Sequence, residues 1–251
     1  MRAMILAAGL GTRLRPLTDD RPKALVEIDG RTMLEITLSR LRRFGVSDVI
    51  VNVHHFADKV VDYLKANGDF GMRIEISRED RLLDTGGGLK KAAHFFTGDA
   101  TRRDEPFILH NVDVLSSIDL GRMIHAHNEN QALATLAVQD RRSSRHLLFD
   151  GFDDQLQLCG RQTGDGPAEY VRDARNVTPL AFSGIHVISP RLLSMMTEDG
   201  VFSIIDTYLR IAHQGSKISG FCADEYYWRD LGKPENVAQA VLDLRQKLVV
   251  Q

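Results

Sequence analysis

A continuous apolar run, Met4-Ile5-Leu6-Ala7-Ala8, passes directly into Gly9-Leu10-Gly11-Thr12-Arg13-Leu14-Arg15-Pro16. An unbroken apolar stretch of this kind is expected for a strand buried on both faces of a parallel sheet. Glycines placed directly after such a strand let backbone N–H groups approach an anion closely. Arg13 and Arg15 lie in the same loop, and Lys23 follows Pro22 a few residues on. Cations around a backbone anion nest make a triphosphate or pyrophosphate site chemically sensible. Two other phosphate loops are excluded. Leu14 stands where a dinucleotide fingerprint needs its third glycine, and Asn52-Val53-His54 stands where it needs an acid. The Gly-Lys-Ser/Thr ending of a Walker A loop is absent.

The rest of the chain alternates between two periodicities. Leu34, Leu38, Leu41 and Phe44 recur at helical spacing and predict a helix over 32–44, stopped by Gly45. Strands are predicted over 48–53, 72–76, 106–109 and 133–138, and helices over 56–64 and 120–127. Such alternation is the signature of a layered α/β fold with a largely parallel sheet. After about Asp140 the rhythm changes. Strands over 145–149, 156–159 and 181–187 are separated by Gly/Asp-rich turns without long helices, as in a small, partly antiparallel lobe. Helices over 202–213 and 235–248 close the chain. The expectation is one domain over 1–251, divided into 1–139, a lobe over 140–222, and 223–251.

Composition limits the partners. A formal net charge of −2 provides no global positive field for a nucleic acid or an anionic membrane. No stretch is long enough to span a bilayer, and the apolar run at the N-terminus is too short for a signal peptide. Cys159 and Cys222 lie far apart and in no metal-ligand spacing, which fits reduced thiols and a cytoplasmic protein.

Three further segments carry chemistry. Leu83-Asp84-Thr85-Gly86-Gly87-Gly88-Leu89-Lys90-Lys91 reads as a glycine loop just ahead of a helix. It can bring backbone groups to a base edge or an anion to the helix N-terminus, or it is a plain turn capped by Asp84 or Thr85. Asn111-Val112-Asp113 follows a predicted strand, and a carboxylate at the C-terminal edge of a parallel sheet suits Mg²⁺. Asp230, in Tyr227-Trp228-Arg229-Asp230-Leu231-Gly232, is a second candidate. His54 and His55 are adjacent on an extended segment and point to opposite faces, which argues against joint metal ligation.

Leu6-Ala7-Ala8-Gly9-Leu10-Gly11-Thr12-Arg13-Leu14, with Pro22-Lys23 behind it, resembles the signature of the sugar-1-phosphate nucleotidylyltransferases. The resemblance runs from Met4 to about Asn236. It implies a Rossmann-like nucleotidyltransferase core, a central mixed, mostly parallel sheet flanked by helices, with residues 1–139 binding nucleotide and the 140–222 lobe binding sugar. It implies that Ala7, Ala8, Gly9, Gly11, Thr12, Arg13, Lys23, Asp84, Thr85, Gly86 and Asn111 line the nucleotide. Arg13 and Lys23 then neutralise the leaving pyrophosphate, and Asp113 and Asp230 hold Mg²⁺. Phe182-Ser183-Gly184-Ile185-His186 resembles the family's sugar-side strand, so Gly184 and Glu169 are the expected sugar contacts.

Two departures from the family pattern stand out. Val112 replaces a common glycine, and no lysine lies between Lys91 and Lys217, where many relatives grip the sugar phosphate. Arg161, Arg172, Arg175 and Lys217 are the candidate substitutes. The Thr-Gly-Gly-Gly loop is similar to that of uridylyltransferases acting on N-acetylmuramic acid 1-phosphate and of some mannose and heptose guanylyltransferases. The expected partners are therefore an NTP (UTP, alternatively GTP) and a sugar 1-phosphate, with the chain a monomer or homodimer. A nucleotide-sugar-sensing subunit is the non-enzymatic alternative.

Overall fold

The computed structural model describes residues 1–151 and 155–246. In chain order the strands are β1 (Arg2–Leu6), β2 (Glu27–Ile28), β3 (Arg31–Thr32), β4 (Asp48–Val53), β5 (Arg73–Arg78), β6 (Phe107–Asn111), β7 (Val114–Ser116), β8 (Ala134–Gln139), β9 (Arg145–Asp150), β10 (Gln157–Thr163), β11 (Glu169–Tyr170), β12 (Val177–Ile188), β13 (Ile218–Cys222) and β14 (Trp228–Asp230). The helices are α1 (Met33–Arg43), α2 (Ala57–Ala66), α3 (Asp84–Lys91), α4 (Ala93–Thr97), α5 (Leu120–Asn130), α6 (Arg191–Ser194), α7 (Ile204–His213) and α8 (Pro234–Arg245). The helix predicted over 235–248 is seen to Arg245, and positions 247 and 248 lie outside the described residues. The fold is mixed α/β, as expected. Backbone contacts divide the chain into two compact units.

The first unit comprises Met1–Leu83, Leu109–Ile118 and Tyr226–Gln251. Its sheet is parallel at the centre. β1 pairs with β4, Leu6 opposite Asn52, and β4 pairs with β5, Asn52 opposite Ser77. Every residue of β4 is buried, Asp48 and Asn52 included, as expected of a central parallel strand. Helix α1 starts where the Thr32 hydroxyl accepts the Glu35 N–H, and it ends at Phe44 with Gly45 in the left-handed region. Its buried face, including Leu34, Leu38 and Leu41, is the one the helical spacing marked out. β7 and β14 form a separate antiparallel ribbon with Asp230 opposite Val114.

The second unit comprises Asp84–Ile108 and Asp119–Glu225. β8 is its centre, running antiparallel to β12 and parallel to β13. β9, β10 and β11 extend it by antiparallel pairing, in accord with the change of rhythm after Asp140. No helix among the described residues is long and apolar enough to cross a membrane.

Candidate functional site

In the first unit, the chain leaves β1 at Leu6 and turns at once. The Ala7 N–H donates to Asn52 Oδ1 at 2.7 Å, so it is bound within the protein. Gly11 has φ +66°, and a Cβ there would meet the Thr18 methyl at 3.0 Å. Glycine is thus required by backbone conformation as well as by space. Thr18 Oγ1 donates to the Gly11 carbonyl at 2.9 Å, which fastens the loop from below. A single 3₁₀ turn, Thr12–Leu14, follows, anchored by the buried side chain of Leu14. Arg13 in that turn reaches Gly232, where a Cβ would lie 2.9 Å from its guanidinium and 2.7 Å from Asp230 Oδ1. Gly232 therefore admits both charged groups to one spot. Arg15, by contrast, faces Asp19 at 3.5 Å on the exposed surface.

The two predicted metal carboxylates come together in this unit through backbone pairing. The Val112 N–H donates to the Leu6 carbonyl at 3.1 Å, and the Leu231 N–H donates to the Asp113 carbonyl at 2.8 Å. With Asp230 opposite Val114, Asp113 and Asp230 stand at the same end of the β7–β14 ribbon. The Asp230 carboxylate accepts the Gly232 N–H at 2.5 Å, and Asn236 Nδ2 donates to the Asp230 carbonyl at 2.8 Å. Lys23 places its ammonium directly on the Asp113 carboxylate. Arg13, Lys23, Asp113 and Asp230 thus belong to one neighbourhood. Among the described residues no set of three or more His, Cys, Asp or Glu side chains could hold a metal ion by itself.

Behind this neighbourhood, Arg229 and the Tyr227 hydroxyl both donate to Asp243 of α8, at 2.9 and 2.6 Å, fixing β14 to the closing helix. Burial pushes the Tyr227 hydroxyl up to about 12, and the Asp243 carboxylate adds to the effect. His110, in β6, is fully buried and donates from Nδ1 to the Asn111 carbonyl at 2.7 Å, with no partner for Nε2 among the described residues. Burial, reinforced by the Arg40 charge, pulls its pKa down to about 3, so the ring is neutral. Asn111 itself ends β6, half-buried beside Val112 and Asp113.

A polar chain that starts at Asn52, noted in the sequence only as standing where a dinucleotide fingerprint needs an acid, also lies here. Asn52 Nδ2 donates to Glu79 Oε1 at 2.7 Å, and Glu79 Oε2 accepts the Leu83 N–H at 3.0 Å. The signal was an asparagine inside the otherwise apolar Val49-Ile50-Val51-Asn52-Val53. His54 Nδ1 bonds the Glu79 carbonyl at 2.7 Å, while the His55 ring packs on Phe56. The two histidines go separate ways, but not by strand alternation: β4 ends at Val53, and His55 lies in a turn.

In the second unit, the predicted loop at 84–88 needs correction: Gly86, Gly87 and Gly88 lie inside α3, buried, and not ahead of it. The Gly86 and Gly87 N–H groups are engaged by the Phe202 carbonyl at 3.0 and 3.3 Å. A Cβ on Gly86 would meet the Phe202 ring at 2.4 Å. Close packing against the segment that opens α7 is what Gly86 supplies. Thr85 does cap, but its hydroxyl accepts the Ile204 N–H at 3.0 Å, at the start of α7 and not of its own helix. Asp84 has φ +59° and accepts the Thr85 N–H at 2.6 Å.

On the sugar side, Glu169 lies in β11 and its exposed carboxylate is paired with Arg161 at 2.7 Å. Arg161 also pairs with Asp206 at 2.7 Å. Gly184 has φ +75° within the irregular stretch of β12 between Phe182 and His186. Of the other candidate cations, Arg172 bonds Gln157 at 2.8 Å and Lys217 bonds Asn130 at 3.0 Å. Cys159 is buried and Cys222 exposed, both as free thiols.

The strand, glycine turn, basic residues and two carboxylates lie together in the first unit. Residues 2–146 match the family model described as Nucleotidyl transferase. The N-acetylmuramate alpha-1-phosphate uridylyltransferase of Caulobacter vibrioides is 35% identical over 93% of this chain and 92% of its own length. A mannose-1-phosphate guanyltransferase of Candida albicans is 29% identical over 94% of this chain, which spans 62% of that protein. Among solved structures, a UDP-glucose pyrophosphorylase from Acinetobacter baumanii matches in fold with a TM-score of 0.75 at 17% identity, covering 98% of each chain. The chain belongs to the sugar-1-phosphate nucleotidylyltransferase family of nucleotidyl transferases.

Proposed function

We propose that this chain joins a nucleoside triphosphate to a sugar 1-phosphate, forming an NDP-sugar and releasing pyrophosphate. The observation that carries the reading is the meeting of Lys23, Asp113, Asp230 and Arg13 beside the glycine turn. An oxygen of the sugar 1-phosphate attacks the α-phosphorus in line, a new P–O bond forms, and the α–β bridging P–O bond breaks. The nucleophile is a phosphate already ionised near neutral pH, so no side chain has to take a proton. Catalysis is then positioning and charge stabilisation. Arg13 and Lys23 offset the charge that builds on the departing pyrophosphate.

Asp113 and Asp230 fit a magnesium ion. Two carboxylates at one ribbon end leave the remaining coordination to substrate phosphates and water, as Mg²⁺ prefers. When bound, the ion supplies Lewis-acid stabilisation of the phosphate oxygens. UTP with N-acetylmuramic acid 1-phosphate is the favoured pair, supported by the similarity to the Caulobacter enzyme along nearly its whole length. GTP with mannose 1-phosphate is the second reading, on the similarity to the Candida enzyme. Glu169 and Gly184 are the proposed sugar contacts, and Asp84, Thr85, Gly86 and Asn111 the proposed nucleoside contacts. The setting is proposed to be cytoplasmic supply of a cell-wall or surface-polysaccharide precursor, by a monomer or homodimer. Pyrophosphate release, measured with and without Mg²⁺ across four NTPs and a panel of sugar 1-phosphates, tests the reaction, its substrates and its metal dependence. One productive, Mg²⁺-dependent pair is expected. Folded protein that binds NTP yet is silent across the panel would favour a sensing subunit instead.

A further inference from the structure

The glycine turn is not held by its own residues alone. From Ala7 N–H to Asn52 Oδ1 is 2.7 Å, from Asn52 Nδ2 to Glu79 Oε1 is 2.7 Å, and from Leu83 N–H to Glu79 Oε2 is 3.0 Å. This chain of hydrogen bonds crosses the C-terminal ends of three parallel strands, β1, β4 and β5. At one end is the first residue of the Ala7-Ala8-Gly9 turn, and at the other is the residue before Asp84-Thr85-Gly86. Asn52 is 3% exposed and Glu79 5%. Both Glu79 oxygens accept from N–H donors, and no ion pair to the Glu79 carboxylate is seen among the described residues. A buried carboxylate held only by neutral donors is costly to maintain, and its geometry is fixed by having every partner in place. Burying an apolar pair there would be simpler if packing were the only requirement.

We propose that Asn52 and Glu79 form a positioning pair that presets the Ala7-Ala8-Gly9 backbone for the phosphates of a nucleoside triphosphate. The pair touches no substrate; it acts by orienting the turn. This rests on the nucleotidyl-transfer reading but is tested separately from it. The pattern of donors and acceptors makes the test sharp. In Asn52→Asp, a carboxylate oxygen faces the Glu79 carboxylate. In Glu79→Gln, one amide N–H₂ is forced against another donor. Combining N52D with E79Q restores every bond: Asp accepts the Ala7 N–H and the Gln N–H₂, and the Gln oxygen accepts the Leu83 N–H.

The experiment measures NTP binding by calorimetry for wild type, both single variants and the double variant, with circular dichroism as the check on folding. It also measures KM for NTP and for sugar 1-phosphate separately. Each single variant is expected to weaken NTP binding about tenfold or more, with KM for sugar 1-phosphate little changed, and the double variant to return to within about threefold of wild type. Single variants that bind NTP as wild type does overturn the proposal. So does a folded double variant that binds no better than the singles, or a double variant that does not fold, because the restored pattern was then insufficient. If only a single variant fails to fold, the affinity of the double variant decides. Wild-type protein that binds NTP but transfers it to no sugar 1-phosphate defeats the reaction reading alone, and the positioning pair is still judged by binding. Wild-type protein that binds no NTP defeats both.

Discussion

Lys23 and Asp113 carry opposite charges in a partly enclosed position, and each is proposed to face a phosphate or a cation during turnover. Their value is electrostatic, so shape-preserving substitutions separate chemistry from folding. Asp113→Asn keeps the volume and removes the charge, and Lys23→Ala removes the cation. Each is expected to lower turnover by about two orders of magnitude or more, read by pyrophosphate release, while circular dichroism stays unchanged. Near-normal turnover in either folded variant would sink the assignment. Gly86 belongs to the same scale but to a different physics. A Cβ there lands 2.4 Å from the Phe202 ring and 3.0 Å from the Ile204 nitrogen, so Gly86→Ala must push α3 away from the segment that opens α7. Overpacking of this kind costs about 1–3 kcal/mol, and chemical denaturation should show a loss of that size. No loss would mean that the helices yield freely.

Elements were the most legible level. The strand at 48–53 and the helices at α1, α5 and α7 fall where apolar spacing placed them, because burial of one face or both is what the spacing encodes. The glycine turn after β1 was legible for the same reason, as a buried strand that stops at glycine. The triple glycine was misread. Glycine is a poor helix former, and propensity alone makes Gly86-Gly87-Gly88 a loop. Tertiary packing against Phe202 overrides that preference, and nothing local announces a partner 116 positions away, the difference between 202 and 86. The Asn52–Glu79 pair was hidden for a related reason, since hydrogen-bond partners across strands are set by register. Thr85 makes the point testable. Its hydroxyl caps Ile204 at the start of α7, so Thr85→Val should cost about 1 kcal/mol and increase amide exchange in the first turn of α7 rather than in α3. Exchange rising in α3 alone would show the cap to be local after all.

At the scale of the whole molecule, two of the buried histidines, His110 and His127, contribute to the response to acid. Burial pulls His110 down to about 3 and His127 to about 4, from an ordinary 6.5; nearby Arg40 and Arg191 respectively act in the same direction. Above pH 6.5 both rings are neutral folded or unfolded, and neither affects the balance. Below it the unfolded chain takes up protons that the folded chain refuses, so stability falls as pH drops from about 6.5 towards 4, on the order of 1 kcal/mol per pH unit for each histidine. Thermal melts across that window should show the decline, and His127→Gln should flatten part of it; an unchanged slope would count against His127 as a contributor. The β7–β14 ribbon has another consequence, in time. Val114 and Asp230 are neighbours in space but lie more than a hundred positions apart along the chain. Closing so long a loop is slow compared with forming the local helices and β1–β4–β5. The carboxylates proposed to hold Mg²⁺ should therefore be the last parts to meet. During refolding, secondary structure should recover first and pyrophosphate release only afterwards, leaving an interval in which the chain is shaped but catalytically silent.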